Sequence, residues 1–134
     1  MPTGTDDLVQ MTLLGEALEH LRVAVIVAQD GERPIAVNQA ACALTGYSRD
    51  ELLGLPAAEL SGRSPREHAR KLLDFTRHGR APGHGPLRRK DGSIVEVQYR
   101  WTATRVAGMD FHLFFVAPAD ENAFAQPQRP RRRR

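Results

Sequence analysis

IAVNQAACALTGYSRDELLGL, residues 35–55, is the segment on which the interpretation of the whole chain depends. It predicts a short strand that turns at Asn38 into a small-residue helix over residues 39–45. Gly46 ends that helix, because a glycine just past a helix adopts the left-handed conformation without a steric penalty. A strand followed at once by a short helix is therefore expected here.

The second half of the same segment carries a helix-start signal. Ser48 with Glu51 three residues later is the pattern of a capping box, in which each side chain satisfies a backbone N–H that the helix leaves unbonded. Gly54 then closes this second short helix, as glycine often does just beyond a helix end.

The order of these pieces resembles the signature of the PAS domain family: a strand ending in Val-Asn, an Ala-rich turn of helix, Gly-Tyr-Ser and Glu-Leu-Leu-Gly. The resemblance continues through the RKDGS of residues 89–93 and a closing pair of strands, and covers roughly Leu14 to Ala119. It implies an α+β fold, a PAS-like five-stranded antiparallel sheet with short helices packed on one face. It also implies a sensor or interaction module, but no particular ligand, because PAS domains bind haem, flavin, small acids, lipids or nothing.

The chain divides into three parts. Residues 1–21 predict an amphipathic helix, capped by Asp6 or Asp7, whose apolar positions step by three and four. Residues 22–119 form the PAS-like domain, and residues 120–134 predict a disordered basic tail. In PAS domains such a leading helix often packs on the sheet of its own or a partner subunit.

Composition narrows the class of protein. The chain has 134 residues, 41% hydrophobic and 26% charged, which is typical of one folded domain. The net charge of +3 becomes −1 without the four arginines 131–134, so there is no strong case for nucleic acid or membrane binding. With a single cysteine, no apolar run long enough to cross a membrane and no signal-peptide pattern, we expect a cytoplasmic protein.

The strands predict two faces of a sheet. In RVAVIVAQ, residues 22–29, apolar residues occupy both alternating sets, so both faces should be covered. Residues 95–103 alternate cleanly, whereas the last strand, residues 109–117, is apolar on both sides. Residues 80–86, RAPGHGP, predict a loop, and Asp91-Gly92 predicts a two-residue hairpin turn.

A ligand pocket is predicted between the sheet and the helix that Ser64-Pro65 begins and that ends near His78. The alternative is that the same side chains fill this space as ordinary core. Small residues around Cys42 would leave room between helix and sheet. The predicted pocket lining is His68, Leu72, Phe75, Val97, Tyr99, Trp101, Phe111, Leu113, Phe115 and Cys42.

The polar candidates point to three ligand classes. The resemblance to haem-binding PAS domains makes His68 a candidate proximal ligand, although a histidine at the core edge is the ordinary alternative. Flavin photochemistry is disfavoured, because the segment PAAELSGRSP lacks the cysteine that such PAS domains carry there. An apolar ligand such as a fatty acid fits best, with Arg88, Arg100 or His68 meeting its carboxylate.

No catalytic motif accompanies these features. The sequence has no phosphate-binding glycine loop, no nucleophile elbow and no HExxH, and its carboxylates lie at helix starts or in turns. We therefore expect a sensory module that is not an enzyme and that signals through a conformational shift, with a homodimer and an effector outside these residues as partners. The alternatives are a haem sensor and a ligand-free dimerisation domain. The predicted dimer interface is Leu8, Met11, Leu14, Leu18, Ile26, Phe114 and Val116.

Overall fold

The computed structural model of the chain describes residues 4–29, 33–78 and 83–124, with the side chains of residues 4–6, 72 and 74–78 excepted. The strand and the two short helices predicted for the central segment, residues 35–55, are all present. The elements are α1 Gly4–Glu19, β1 Ala24–Gln29, β2 Arg33–Val37, α2 Gln39–Thr45, α3 Arg49–Leu53, α4 Ala57–Leu60, α5 Pro65–His78, β3 Gly83–Arg88, β4 Ile94–Val106 and β5 Met109–Pro118.

The described strands form one five-stranded antiparallel sheet in the order β2-β1-β5-β4-β3. Three pairs of strands that are adjacent in the chain form hairpins: β1 with β2, β3 with β4, and β4 with β5. β1 also pairs with β5 in the middle of the sheet. The crossover from β2 at one edge to β3 at the other contains α2 to α5. The predicted α+β fold, with an antiparallel sheet of five strands and short helices, is confirmed.

Asn38 connects three segments at the start of α2. Its Oδ1 accepts hydrogen bonds from the backbone N–H of Val25 and of Ala41, and its Nδ2 donates to the carbonyls of Leu18 and Val23. The side chain is buried, and an asparagine as N-cap satisfies an N–H that a helix start leaves unbonded. One buried amide thus joins the end of α1, β1 and α2.

The predicted caps of the next two helix ends are both present. Gly46 ends α2 with φ +79°, in the left-handed region that favours glycine. Ser48 Oγ accepts from Glu51 N, and Ser48 N donates to Glu51 Oε1, which is the reciprocal capping box. Lys90 adds an ion pair to Glu51, with 2.8 Å between Nζ and Oε2. These contacts fix the end of α2 and the start of α3.

The core lies between the sheet and α2 to α4, and we call this side of the sheet the inner face. Ala41 and Leu52 are fully buried there, and Thr45 is equally buried with its hydroxyl bonded to the carbonyl of Ala41. The buried core cluster consists of Ala24, Ile26, Val37, Ala41, Leu52, Leu60, Leu87, Val97, Tyr99 and Val116.

The register of β4 and β5 corrects the predicted facing of the last strand. Tyr99 lies opposite Val116 and Trp101 lies opposite Phe114, and directly opposed residues share a face. Phe114 and Val116 therefore face inward beside Tyr99. Phe111, Leu113 and Phe115, predicted to face the helices, lie on the outer face of the sheet.

The same correction applies to β1. Ile26 pairs with Phe114, so it faces inward and belongs to the core cluster rather than to the outer face on which the sequence interpretation placed it. The prediction failed because both strands are apolar on both faces, so the alternation of residues within one strand does not reveal which face is inside.

The edge strand β3 was predicted as loop, and this prediction is wrong for residues 83–86. Gly83 to Arg88 pair antiparallel with Tyr99 to Ile94. Proline and glycine are tolerated because β3 pairs with one neighbour only, as an edge strand does. The connection to β4 is also longer than the predicted two-residue turn, since the last pairing joins Arg88 to Ile94.

The two ends of the chain relate differently to the sheet. The apolar side chains of α1 are exposed, 67% for Leu8 and 70% for Met11, so this helix does not pack on the sheet of its own subunit. By contrast, residues 120–124, assigned to the tail, fold back on β4: Gln98 Nε2 donates to the Glu121 carbonyl and Arg100 Nη2 to that of Phe124. The rest of the predicted tail, residues 125–134, lies outside the described residues.

Candidate ligand cavity

A cavity of about 140 Å³ lies between the inner face of the sheet, α4 and α5. Its walls are mostly apolar side chains from the sheet. Small ligands commonly bind in concave apolar sites of this kind, although drug-sized sites are larger, about 300–1,000 Å³. The lining residues are Ile26, Ala28, Pro34, Ala57, Leu60, Ser61, Arg63, His68, Lys71, Gly85, Pro86, Leu87, Val97, Tyr99, Phe114 and Val116.

Three basic residues belong to this lining: Arg63 in the α4–α5 connection, and His68 and Lys71 on α5. Among the described residues that line the cavity, none is aspartate or glutamate. Burial lowers the pKa of His68 below its usual value, and the nearby charge of Arg63 lowers it further. His68 is therefore neutral near pH 7, and Arg63 and Lys71 carry the charge.

Arg63 is held in place by the connection between α4 and α5 and by β3. Its backbone N–H donates to Ser61 Oγ at 3.1 Å, and its Nη2 donates to the carbonyl of His84 at 3.0 Å. The connection itself is fixed to β3, because Gly62 N donates to the Pro86 carbonyl at 3.0 Å. The guanidinium therefore lies across the edge strand at the cavity wall.

Two glycines of β3 make room for the side chains that lie over this strand. A Cβ on Gly85 would lie closer than 3.0 Å to the Arg63 guanidinium, and one on Gly83 equally close to the Tyr99 ring. The composition that predicted a loop for residues 80–86 thus has a packing role in β3. It lets Arg63 and Tyr99 approach the backbone of an edge strand.

An aromatic cluster adjoins the cavity along β4 and β5. Trp101 Nε1 donates to His112 Nδ1 at 2.9 Å, and the His112 ring stacks on Phe114, which lines the cavity. Trp101 itself is buried. The cluster therefore fixes the side of the cavity wall that Phe114 forms.

The sequence of this chain matches a known protein family. The family model described as PAS domain matches residues 22–123. The chain belongs to the PAS domain family. No curated protein matches the chain at a significant level.

Solved structures agree in fold with this PAS domain. A PAS domain from a two-component sensor histidine kinase superposes with a TM-score of 0.75 at 18% identity, over 84% of this chain and 98% of that chain. The PAS domain of an HTR-like protein from Haloarcula marismortui gives 0.72 at 24%, over 85% and 96%. A PAS domain in complex with ethanol, from a LuxR-family transcriptional regulator of Burkholderia thailandensis, gives 0.66 at 16%, over 80% and 97%.

The PAS domain brings together part of the predicted pocket lining. His68, Val97 and Tyr99 line the cavity. Trp101 lies on the same face beside it, and Cys42 packs against the core from α2 without lining the cavity. The side chains of Leu72 and Phe75 lie outside the described residues. Phe111, Leu113 and Phe115 lie on the outer face and do not line the cavity.

The predicted interface residues separate into two groups. Leu8, Met11, Leu14 and Leu18 are exposed on α1, where a partner would reach them. Ile26, Phe114 and Val116 instead line the cavity, so they do not form an outer surface. This correction follows from the strand register described above.

The partners suggested for a ligand carboxylate also change. Arg100 lies opposite Phe115 on the outer face, where its guanidinium stands 5.3 Å from the centre of the Phe124 ring. Arg88 is exposed, and neither arginine lines the cavity. Arg63, an arginine that the sequence interpretation did not name, lines the cavity. Among the described residues, no helix has the length and apolar composition needed to span a membrane.

Proposed function

We propose that this PAS domain is a sensory module that binds a small, largely apolar ligand between its sheet and α5. The observation that supports the proposal is the cavity of about 140 Å³ lined by Leu60, Leu87, Val97 and Phe114. An apolar cavity of about 150 Å³ stays dry and accepts benzene. The ligand part inside is therefore expected to have about six carbon atoms, as in a hexyl chain or a six-membered ring.

Signalling would follow from a shift between two populations of the domain. A ligand changes a conformational equilibrium only by its difference in affinity for the two states. The cavity walls come from α4, α5 and all five strands of the sheet, so a bound ligand would favour the state in which these elements stand at their present spacing. The change would reach an effector outside these residues through the sheet.

A pair of adjacent alanines provides the test. Ala57 lines the cavity, whereas Ala58, next to it in α4, is exposed and does not. We expect 1-hexanol to produce saturable shifts in the NMR spectrum of the wild type and of Ala58→Phe, but not of Ala57→Phe, whose ring fills the space. Equal binding by all three proteins, or binding by none, would contradict the proposal. Mass spectrometry of an extract of the purified protein would identify a ligand that co-purifies.

The haem alternative receives no support from the geometry. His68 lines the cavity, but a tetrapyrrole is several times larger than benzene and does not fit a space of about 140 Å³ without separation of α5 from the sheet. Addition of haem to the purified protein should give no Soret band with axial ligation, and the His68→Ala variant should not change the spectrum.

Self-association is a second proposed property, favoured by α1. Leu8, Met11, Leu14 and Leu18 are between 42% and 70% exposed, and an apolar helix surface of this kind marks an interaction site. We infer that a second copy of the chain covers it. Light scattering of the full chain should give the mass of a dimer, and Leu14→Glu should give that of a monomer. The control Glu16→Gln, an exposed position on the opposite side of the same helix from Leu14, should leave the dimer intact.

A further inference from the structure

We propose that the ligand of this cavity is a small monocarboxylate, whose apolar part fills the cavity and whose carboxylate is bound by the Arg63 guanidinium. This inference rests on the proposed function and adds the chemical class of the ligand and the residue that selects it. It replaces the arginines that the sequence suggested for this role.

The charge of the lining is one argument. Arg63 and Lys71 are cationic, and the described lining residues contribute no carboxylate to balance them. Within the part of the chain that the structure describes, neither residue makes an ion pair. A cation at the wall of an apolar space lowers the free energy of an anion there, and this attraction is stronger than in water. The lining therefore favours an anionic group over a neutral one.

The position of Arg63 is a second and independent argument. Arg63 as a residue is partly buried, and the hydrogen bond of its Nη2 to the His84 carbonyl orients the guanidinium. A guanidinium carries five N–H donors, so donors remain for a carboxylate after one backbone contact. Because arginine and carboxylate match as two parallel hydrogen bonds, a fixed guanidinium selects a planar anion.

Gly85 makes this arrangement specific to the local sequence. A Cβ at this position would approach the guanidinium closer than 3.0 Å, so the guanidinium would have to move away from its present place. The connection from α4 is held against the same strand by the contact of Gly62 with Pro86. The site is thus defined by two segments that meet across the cavity edge, not by one flexible side chain on a surface.

The size of the cavity limits the apolar part of the ligand. A space of about 140 Å³ corresponds to about six carbon atoms, so hexanoate is a suitable probe and 1-hexanol is its neutral counterpart of equal chain length. A long-chain fatty acid would leave most of its chain in solvent. The two probes differ in charge at one end, which isolates the contribution of the anchor.

The experiment measures the affinities of hexanoate and 1-hexanol for the wild type and for Arg63→Gln by NMR titration. In the wild type we expect hexanoate to bind about ten- to a hundredfold more tightly than 1-hexanol, as for a charge-assisted hydrogen-bonded pair. In Arg63→Gln the preference should disappear, while the affinity for 1-hexanol stays within about twofold. The control Arg66→Gln, an equal loss of charge at an exposed position of α5 outside the cavity, should keep the preference.

Each other result has a defined meaning. Equal or tighter binding of 1-hexanol by the wild type would overturn the carboxylate inference and leave the proposed function in place. A preference retained in Arg63→Gln would overturn the role of Arg63. Binding of neither probe would overturn the proposed function itself, and with it this inference.

A measurement without any variant guards against loss of folding in Arg63→Gln. Because salt screens charge–charge attraction, the hexanoate affinity of the wild type should fall as ionic strength rises, whereas the 1-hexanol affinity should not fall. Equal salt dependence of the two affinities would overturn the inference. A thermal unfolding curve of each variant establishes whether it is folded.

Discussion

The two helical layers on the inner face of the sheet differ in how completely they fill the space beneath them. Under α2 and α3, Ala41, Thr45 and Leu52 are fully buried, and each helix end is capped. Under α4 and α5 a cavity of about 140 Å³ remains. The same sheet thus carries a filled half and a half with free volume, and the proposed ligand site lies in the second.

The physical origin of the difference lies in the size and the capping of the helices. α2 is built from alanines and other small residues, so it approaches β1 closely, and Asn38 bonds it to the strand. The connection that leads into α5 is joined to the sheet by Arg63 and by the short bridge between Ser61 and Leu87. A connection joined to the sheet by a long polar side chain leaves space beneath the helix that follows it. Small residues let α2 lie closer to the sheet, so no such space remains beneath α2.

The largest expected effect comes from truncation of one leucine in each layer. Leu52→Ala should lower the free energy of unfolding by about 4 kcal/mol, near the upper part of the range for buried leucines. Leu60→Ala should cost about 2 kcal/mol, because Leu60 already borders a cavity and loses fewer packing partners. Urea denaturation measures both values. Leu53→Ala, at an exposed position of α3, should cost less than about 1 kcal/mol. An equal loss at Leu52 and Leu60 would remove the distinction between the layers.

Enlargement of one alanine in each layer sharpens the comparison from the opposite direction. Ala41→Val should destabilise the domain by about 1–3 kcal/mol, because the added methyl groups meet a filled core. Ala57→Val should be neutral or stabilising by up to about 1 kcal/mol, because it extends into free volume. Both sites are helical, so the propensity cost of valine is similar and cancels in the difference. Destabilisation of equal size at both sites in urea would mean that the cavity does not accept added atoms.

The smallest expected effects are shifts in acid titration, one in each layer. Beside α3, hydrogen bonds from Lys90 and Ser48 hold the pKa of Glu51 at about 2, against 4.5 in the unfolded chain. Its contribution to stability is therefore complete above pH 4.5 and is lost as the pH falls through about 2. NMR titration of Lys90→Met should show the pKa of Glu51 raised toward 4.5. An unchanged pKa in this variant would contradict the assigned cause.

The corresponding group of the α4–α5 layer is His68. Burial and Arg63 lower its pKa below 6.5, so the folded state binds fewer protons than the unfolded state as the pH falls past this value, and stability decreases there. Arg63, Lys71 and Tyr99 are the other titratable groups among the described lining residues. Arg63→Gln should raise the pKa of His68, and bound hexanoate should raise it too. A pKa that falls in either case would contradict this placement of the charges.

Sequence reasoning succeeded where the determinants of structure are local. The cap at Gly46 and the box formed by Ser48 and Glu51 depend on residues within one turn of each other, so their pattern is readable. The facing of β5 depends on its register with β4, since Phe111 to Val116 are apolar on both sides except at His112. Long-range pairing with β4, and not the alternation of residues within β5, determines which face of this strand lines the cavity.

The site itself was less accessible to sequence reasoning than the fold. His68, Val97 and Tyr99 were identified because each stands on an apolar stripe of its own element. Arg63 lies in a loop, and its place at the cavity wall depends on β3, which passes beneath it with glycine at position 85. The single available signal was the unusual density of glycine in a segment that turned out to be a strand, and such glycines mark close approach.

The most direct test of the division between the layers is a map of NMR shifts caused by benzene, which matches the cavity in size and carries no charge. The account predicts saturable shifts at Leu60, Val97 and Phe114, and none beyond solvent effects at Ala41, Thr45 and Leu52. Shifts of equal size in both groups, or no saturable shift at any of these residues, would contradict it.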